Sequence, residues 1–276
     1  MKRYPKYKES GVECIGEIPA HWESKRLGYV STIFKGGTPK RNVDRYFQGD
    51  LPWARPVDIT ALKGALYIDD TEIHISEEAL GNSGARRLPA GTVLLTSRAT
   101  IGETAITTVP MATNQGFSNF VCHEHLLNIY LLYYLQAIKD LLISLGSGST
   151  YLEVTKGTLV GVRIPLPPLS EQIQIANFLD RKTEQIDKLI GIKDRQIELL
   201  QEQRTALINQ AVTKGHDPNV EMKPSGVEWI GEIPAHWKIK KLKYIAKILP
   251  SNVDKHIYPD EIQVRLCNYT DVYYND

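Results

Sequence analysis

Cysteine is scarce in this sequence. Cys14, Cys122 and Cys267 are the only three, odd in number, far apart and in no CxxC pair. That usage argues against a disulfide scaffold and predicts a reducing compartment, the cytoplasm. Long apolar runs are also missing. The opening MKRYPKYKES has no signal-peptide core, and no stretch approaches the ~20 apolar residues that span a bilayer, so no membrane attachment is expected. Nor is there an excess of either charge: 33 basic residues stand against 32 acidic ones, a balance unlike that of a generic DNA-coating protein. Within that balance the cations cluster. Residues 1–45 are rich in Lys and Arg, and Lys238–Lys247 (KIKKLKYIAK) contains no acid. Such clusters neutralise phosphates or form a solvated face beside a turn.

Catalytic signatures are missing as well. GSGSTYLEVTKGT, Gly146–Thr158, lacks the spacing of a phosphate-binding GxxxxGK[ST] loop. There is no glycine-rich methyl-donor loop and no Asn/Asp-Pro-Pro-aromatic motif. PDEIQV, Pro259–Val264, has carboxylates without the lysine that a nuclease cluster needs. The run CHEH, Cys122–His125, falls short of a four-ligand zinc set and reads as a surface turn. The chain is expected to be neither an enzyme nor a metal protein.

What is present is a long-period repeat. SGVECIGEIPAHW, Ser10–Trp22, returns as SGVEWIGEIPAHW, Ser225–Trp237, with Cys14 replaced by Trp229 as the one difference. Gly16, Pro19, Gly231 and Pro234 break regular structure, so each copy is a folded lead-in segment rather than a long helix or strand. The similarity fades through KRLGYV (Lys25–Val30) and KKLKYI (Lys240–Ile245). The period far exceeds that of a solenoid, so the repeat marks equivalent positions in a large duplicated unit.

Between the copies the texture changes once. GTVLLTS (Gly91–Ser97), TAITTV (Thr104–Val109) and FSNFVC (Phe117–Cys122) predict strands, and Leu126–Leu145 predicts a buried helix, together an α+β domain. Pro165, Pro167 and Pro168 predict an extended lead-in, with Ser170 capping a helix over 171–212 that contains no proline and one glycine, Gly191. Its heptad seam reads Ala176, Leu179, Thr183, Ile186, Ile190, Lys193, Ile197, Leu200, Arg204, Leu207, Ala211. A narrow, mostly apolar stripe of that length needs a second helix to cover it. The implied divisions are residues 1–166, a globular domain with its lead-in segment; 167–215, a spacer and dimerisation helix; and 216–276, the second lead-in with the start of another domain.

GEIPAHW, FKGGTP (Phe34–Pro39), LPWARPVDI (Leu51–Ile59), TNQGF (Thr113–Phe117) and IPLPPLSEQIQIANFLD running into a long helix, then AVTKG and a second GEIPAHW, resemble the specificity subunit of type I restriction–modification systems. The resemblance implies a non-catalytic subunit whose target-recognition domains each read half of a bipartite double-stranded DNA sequence. Long helices hold those domains apart. Implied partners are modification subunits, which use S-adenosylmethionine, and restriction subunits, which use ATP and Mg; no cofactor is expected in this chain. The stretch Asn252–Asp276 is too short for a second domain like the first, so the sequence reads as a truncated subunit. One expectation is then a working half-subunit that dimerises through Leu179, Ile186, Ile190, Ile197, Leu200 and Leu207. The alternative is a silent or inhibitory protein that occupies modification subunits without productive DNA recognition.

Candidate DNA-binding residues lie in polar loops between the apolar runs: Lys35, Thr38, Lys40 and Arg41; Arg55; Ser97 and Arg98; Asn114 and Gln115; and Ser147, Ser149, Thr150 and Tyr151. Arg pairs with guanine in two places, Asn and Gln with adenine, while loop N–H groups and cations suit phosphates. Each has a structural alternative. Gly36 and Gly37 could simply form a turn, Arg55 could pair internally, and Asn114 and Gln115 belong to a motif shared by readers of different sequences.

Overall fold

The computed structural model describes residues 4–12, 15–148 and 150–247. Cys14, Ser149, Cys267 and the stretch Asn252–Asp276 lie outside them. The chain forms two compact units, Met1–Gly191 and Ile192–Asp276.

The first unit has mixed α+β architecture. Its central five-stranded sheet runs, edge to edge, Ser31–Lys35, Phe117–Cys122, Val93–Thr96, Thr104–Thr107 and Tyr67–Ile68. All neighbours are antiparallel except the last pair. The three apolar runs in the sequence supply its middle strands. Successive side chains point to opposite faces, and here both faces are covered. Val93, Leu95, Ile106 and Phe120 enter one core; Leu94, Ala105 and Phe117 enter another. Burial on both sides explains why Val93–Thr96 has no polar–apolar alternation. A smaller sheet orders Ala112–Thr113, Leu51–Ala54 and His74–Ile75 and carries a third core around Trp53 and Tyr46.

The buried helix expected over Leu126–Leu145 is divided in two. Asn128–Ala137 and Lys139–Ser144 meet at Ile138, whose φ of −98° and ψ of 19° leave the helical region. Six side chains of the first piece are buried, including Leu131, Leu132 and Leu135. Full burial of such a side chain contributes about 1.5–3 kcal/mol, so this helix anchors the main core.

The proline-rich lead-in is extended as predicted: Arg163–Leu166 pairs antiparallel with Glu23–Arg26. A 46-residue helix, Leu169–Lys214, follows. It begins before Ser170, which therefore lies inside the first turn and does not cap it. At about 1.5 Å per residue, a helix of that length measures roughly 70 Å.

Adjacent residues fasten the helix root to different parts of the domain. Glu171 accepts hydrogen bonds from Tyr4 Oη (2.8 Å), His21 Nε2 (2.7 Å) and Trp22 Nε1 (3.0 Å). Gln172, fully buried, accepts from Leu127 N and donates to the carbonyls of His125 and Pro167. Ala176 enters the core, and Asp180 accepts from Tyr133 Oη at 2.5 Å.

The lead-in repeat supplies the turn and second strand of a short hairpin, whose first strand lies just before it. Tyr7–Glu9 pairs with Glu17–Pro19 in the first unit, and Met222–Pro224 pairs with Glu232–Pro234 in the second. The same turn bonds recur: Ser10 N to Gly16 O at 2.9 Å and Ser225 N to Gly231 O at 2.8 Å. Gly16 and Gly231 have φ of 66° and 69°, a left-handed conformation that favours glycine. Repeated sequence thus yields repeated backbone.

Candidate nucleic-acid interface

Segments far apart in sequence meet at one end of the five-stranded sheet. Lys35 ends the edge strand opposite Ser118. Its Nζ donates to Ser97 Oγ at 3.1 Å and to Glu153 Oε1 at 2.8 Å. Ser97 N donates to Gly116 O, and Val154 N donates to Ser97 O. Ser147 and Glu153 exchange backbone hydrogen bonds of 3.0 and 2.9 Å, pinning the Gly-Ser loop closed. Arg98 lies over the ring of Tyr151, its guanidinium carbon 5.7 Å from the centroid. Lys35, Ser97, Arg98, Ser147 and Tyr151 are therefore one cluster.

The FKGGTP and TNQGF motifs join it side by side. Gly37 N donates to Thr113 O, and Thr38 Oγ1 donates to Gln115. Gly36 and Gly37 serve close packing, not a left-handed turn. A Cβ on Gly36 would fall 1.8 Å from Asn114 O, and one on Gly37 would fall 2.0 Å from the Gly84 carbonyl carbon. Asn114 N donates to Ala54 O, which brings the Arg55 loop to the same rim.

The candidates divide by what their side chains already do. Ser97 is fully buried, and its hydroxyl lies between Lys35, Ser118 and Gly116 O, where it supports the rim from beneath. Asn114 Oδ1 accepts from Gly116 N and closes its own turn. Arg55 pairs with Asp58 at 3.2 Å and Glu72 at 2.6 Å; those hydrogen bonds hold its proton and raise its pKa further. Lys35 is occupied by Glu153. Gln115, exposed, is held through its side-chain oxygen by Thr38. Exposed are also Ser147, Thr150, Tyr151, Lys40 and Arg41, the last two on the turn after Pro39. Arg98, half-exposed beside Tyr151, presents its guanidinium at the same rim. Ser149 lies outside the described residues.

Sequence reasoning missed Glu153, 118 residues from its partner Lys35, and Arg86, which stacks on Phe34 with its guanidinium carbon 5.2 Å from the ring centroid. Neither sits in a recognisable motif; only the sheet brings them to this rim. His123, Glu124 and His125 are exposed on the turn after the Phe117–Cys122 strand. The adjoining Cys122 is half-buried, and desolvation pushes its thiol up to about 12.

A rim of polar loops on a domain rooted to a long helix has known relatives. A family model described as the type I restriction modification DNA specificity domain matches residues 19–199. The chain belongs to that family. Among curated specificity-subunit relatives, it is 35% identical over 237 residues to the type I restriction enzyme MjaIX specificity subunit of Methanocaldococcus jannaschii, covering 85% of this chain and 54% of that one. It is 28% identical over 209 residues to the EcoR124I/EcoR124II specificity subunit of Escherichia coli, covering 73% and 50%. This specificity domain also resembles the solved HsdS subunit from Thermoanaerobacter tengcongensis, with a TM-score of 0.55 and 25% identity over 74% of this chain and 47% of that one. A chain from a structure of type I R-M complex assembly gives 0.60 and 26% over 74% and 48%. The chain spans about half the length of the curated relatives it matches.

Proposed function

We propose that the first unit is a DNA reader, in which the loop cluster around Lys35, Arg98, Gln115 and Tyr151 meets one half of a bipartite target. The supporting observation is convergence: loops near residues 35–41, 97–99, 114–116 and 146–153 form one polar rim held by the Lys35–Glu153 pair. Arg98 and Gln115 are the groups suited to base edges, and Lys40, Arg41 and the Gly-Ser loop suit phosphates. Residues 1–166 act as the reading domain, 167–215 as the spacer, and 216–276 as the second lead-in with the start of another domain.

In this reading the chain does no chemistry itself. It delivers modification subunits, which take S-adenosylmethionine, and restriction subunits, which take ATP and Mg, to double-stranded DNA. The long helix recruits a second copy of the chain. Ile186, Ile190, Ile197, Leu200 and Leu207 are each 53–59% exposed along the predicted seam, as positions awaiting a second helix are. Twofold pairing of two such readers specifies two identical inverted half-sites.

The test is a genome-wide adenine-methylation map after co-expression with a modification subunit in a host lacking adenine methylation. A new motif with two identical inverted halves is expected. Absence of any motif, with both proteins soluble, sinks the reading.

A further inference from the structure

Residues 97–99 and 152–154 run antiparallel as a short ladder at the polar rim. Val154 N donates to Ser97 O at 2.8 Å, and Ala99 N donates to Leu152 O at 3.0 Å. Arg98 and Glu153 are the opposed pair between those two bonds. A pair of this kind has its Cα atoms about 4.5 Å apart and both side chains on one face. From its other edge, Glu153 is fixed by the backbone bonds of 3.0 and 2.9 Å that it exchanges with Ser147. Immediately after Arg98, Ala99 has a φ of 63°. A residue with a Cβ rarely adopts that conformation, and where it persists it tends to mark a functional site.

Opposite charges placed this closely ordinarily pair, but these two do not. Arg98 forms no ion pair among the described residues; its guanidinium carbon lies 5.7 Å from the centroid of the exposed Tyr151 ring. Glu153 turns Oε1 to Lys35 Nζ at 2.8 Å, and no described residue donates to its Oε2. The Glu153 side chain is 32% exposed. One face of the ladder therefore presents a donor fork and an acceptor oxygen side by side, neither cancelling the other.

Pairing with Lys35 does not by itself account for the carboxylate. An ion pair this accessible adds little to stability, and a negative charge on a rim that meets DNA repels phosphates. Its place there calls for a hydrogen-bond donor on the ligand, because a carboxylate only accepts. In the major groove the base-edge donors are the amines of cytosine N4 and adenine N6, while guanine O6 and N7 accept. Adenine suits Glu153 poorly, since the N7 beside its amine is an acceptor facing a carboxylate. Guanine O6 and cytosine N4 adjoin each other within one G·C pair, as the fork of Arg98 and the carboxylate of Glu153 adjoin on the ladder.

We propose that Arg98 and Glu153 together read one G·C pair of the half-site, Arg98 on guanine O6 and N7 and Glu153 on cytosine N4. Tyr151 holds the guanidinium in place, and Lys35 holds the carboxylate. This deepens, and rests on, the DNA-reading role given under Proposed function.

The test compares adenine-methylation maps of the unsubstituted chain, Arg98→Ala, Glu153→Gln and Lys35→Gln, each co-expressed with a modification subunit in a host lacking adenine methylation. Each half of the unsubstituted motif is expected to contain a G·C pair at which both Arg98→Ala and Glu153→Gln lose discrimination about ten-fold or more. Glu153→Gln should also admit A·T there, because a glutamine amide pairs with adenine. Lys35→Gln leaves Glu153 in place and is expected to weaken methylation evenly while keeping the motif. An unchanged motif in Glu153→Gln, or relaxation at a different position from that of Arg98→Ala, overturns the proposal. So does the same relaxation in Lys35→Gln, which makes Glu153 only the seat of Lys35. Circular dichroism checks folding, and if Glu153→Gln does not fold, relaxation of Arg98→Ala at an A·T pair still overturns the assignment. No motif from the unsubstituted chain, with both proteins soluble, sinks the DNA-reading role itself, a result distinct from the others.

Discussion

His21 Nε2 lies 2.7 Å from Glu171 Oε1, and because a carboxylate only accepts, the imidazole is the donor. The contact joins the repeated GEIPAHW motif to the first turn of the long helix. It gives a physical reason for motifs so far apart in the sequence: one supplies the donors, the other the acceptor.

That clamp predicts an acid-sensitive helix root. Burial pulls the Glu171 pKa upward, but hydrogen bonds from His21, Tyr4 and Trp22 outweigh it and leave the carboxyl below its ordinary 4.5. A carboxyl depressed in the folded state adds stability above its unfolded pKa, and that contribution disappears as pH falls through the folded value. Acid unfolding of the chain and of Glu171→Gln, followed by circular dichroism, is expected to show the variant less stable at neutral pH. The two curves should converge below pH 4.5. A gap that persists at low pH contradicts the assignment.

Gly37→Ala is expected to displace the FKGGTP loop, because the added methyl meets the backbone of Gly84 and Ala85 at 2.0–2.1 Å. Backbone on both sides leaves little room for relief, and overpacking of this kind costs about 1–3 kcal/mol or more. Gly191→Ala, where nothing lies within 4 Å, serves as the contrast; it should leave stability equal or slightly raised, since Gly is disfavoured in helices by about 1 kcal/mol. Urea midpoints of the two variants check both.

Arg98 and Lys40 should differ in kind. Arg98→Ala is expected to relax the methylated motif at one position, a loss of about 1–3 kcal/mol in discrimination. Lys40→Ala is expected to weaken binding evenly across sequences and to lower the salt slope by about one. Methylation maps and salt titrations of DNA binding separate the two outcomes.

Pairing through the long helix predicts that Ile186→Asp with Ile190→Asp yields a monomer while the first unit stays folded. Both side chains are exposed on the helix beyond its fastened root. Sedimentation equilibrium at micromolar concentration, where the unsubstituted chain should be dimeric, reads the change. A monomeric unsubstituted chain contradicts the pairing.

Cys122 is expected to resist thiol reagents in the folded protein. With its pKa pushed up to about 12 by burial, only about one thiol in ten thousand is ionised at pH 8, and the thiolate is the nucleophile. In a Cys14→Ser, Cys267→Ser background, labelling should wait for urea.

The sequence by itself determined that each repeat is a folded lead-in segment, and it determined the strands Val93–Thr96, Thr104–Thr107 and Phe117–Cys122, the long helix, and the family. Each is a local matter: glycine and proline fix turns, short apolar runs fix strands, and a proline-free stretch with heptad spacing fixes a helix. It also named most of the residues that gather in the polar rim around Lys35, because polar loops between apolar strands collect at strand ends. Which of them remain available was decided only by tertiary structure. Ser97 and Arg98 are neighbours, yet one is sealed beneath Lys35 and the other stacks on Tyr151. Glu153, which occupies Lys35, carried no signal in sequence. The partner of a charge is chosen by which segments the fold brings together: the sheet sets Lys35 beside Ser97, and the bridges of Glu153 to Arg98 and Ser147 set a carboxylate 118 positions away against it.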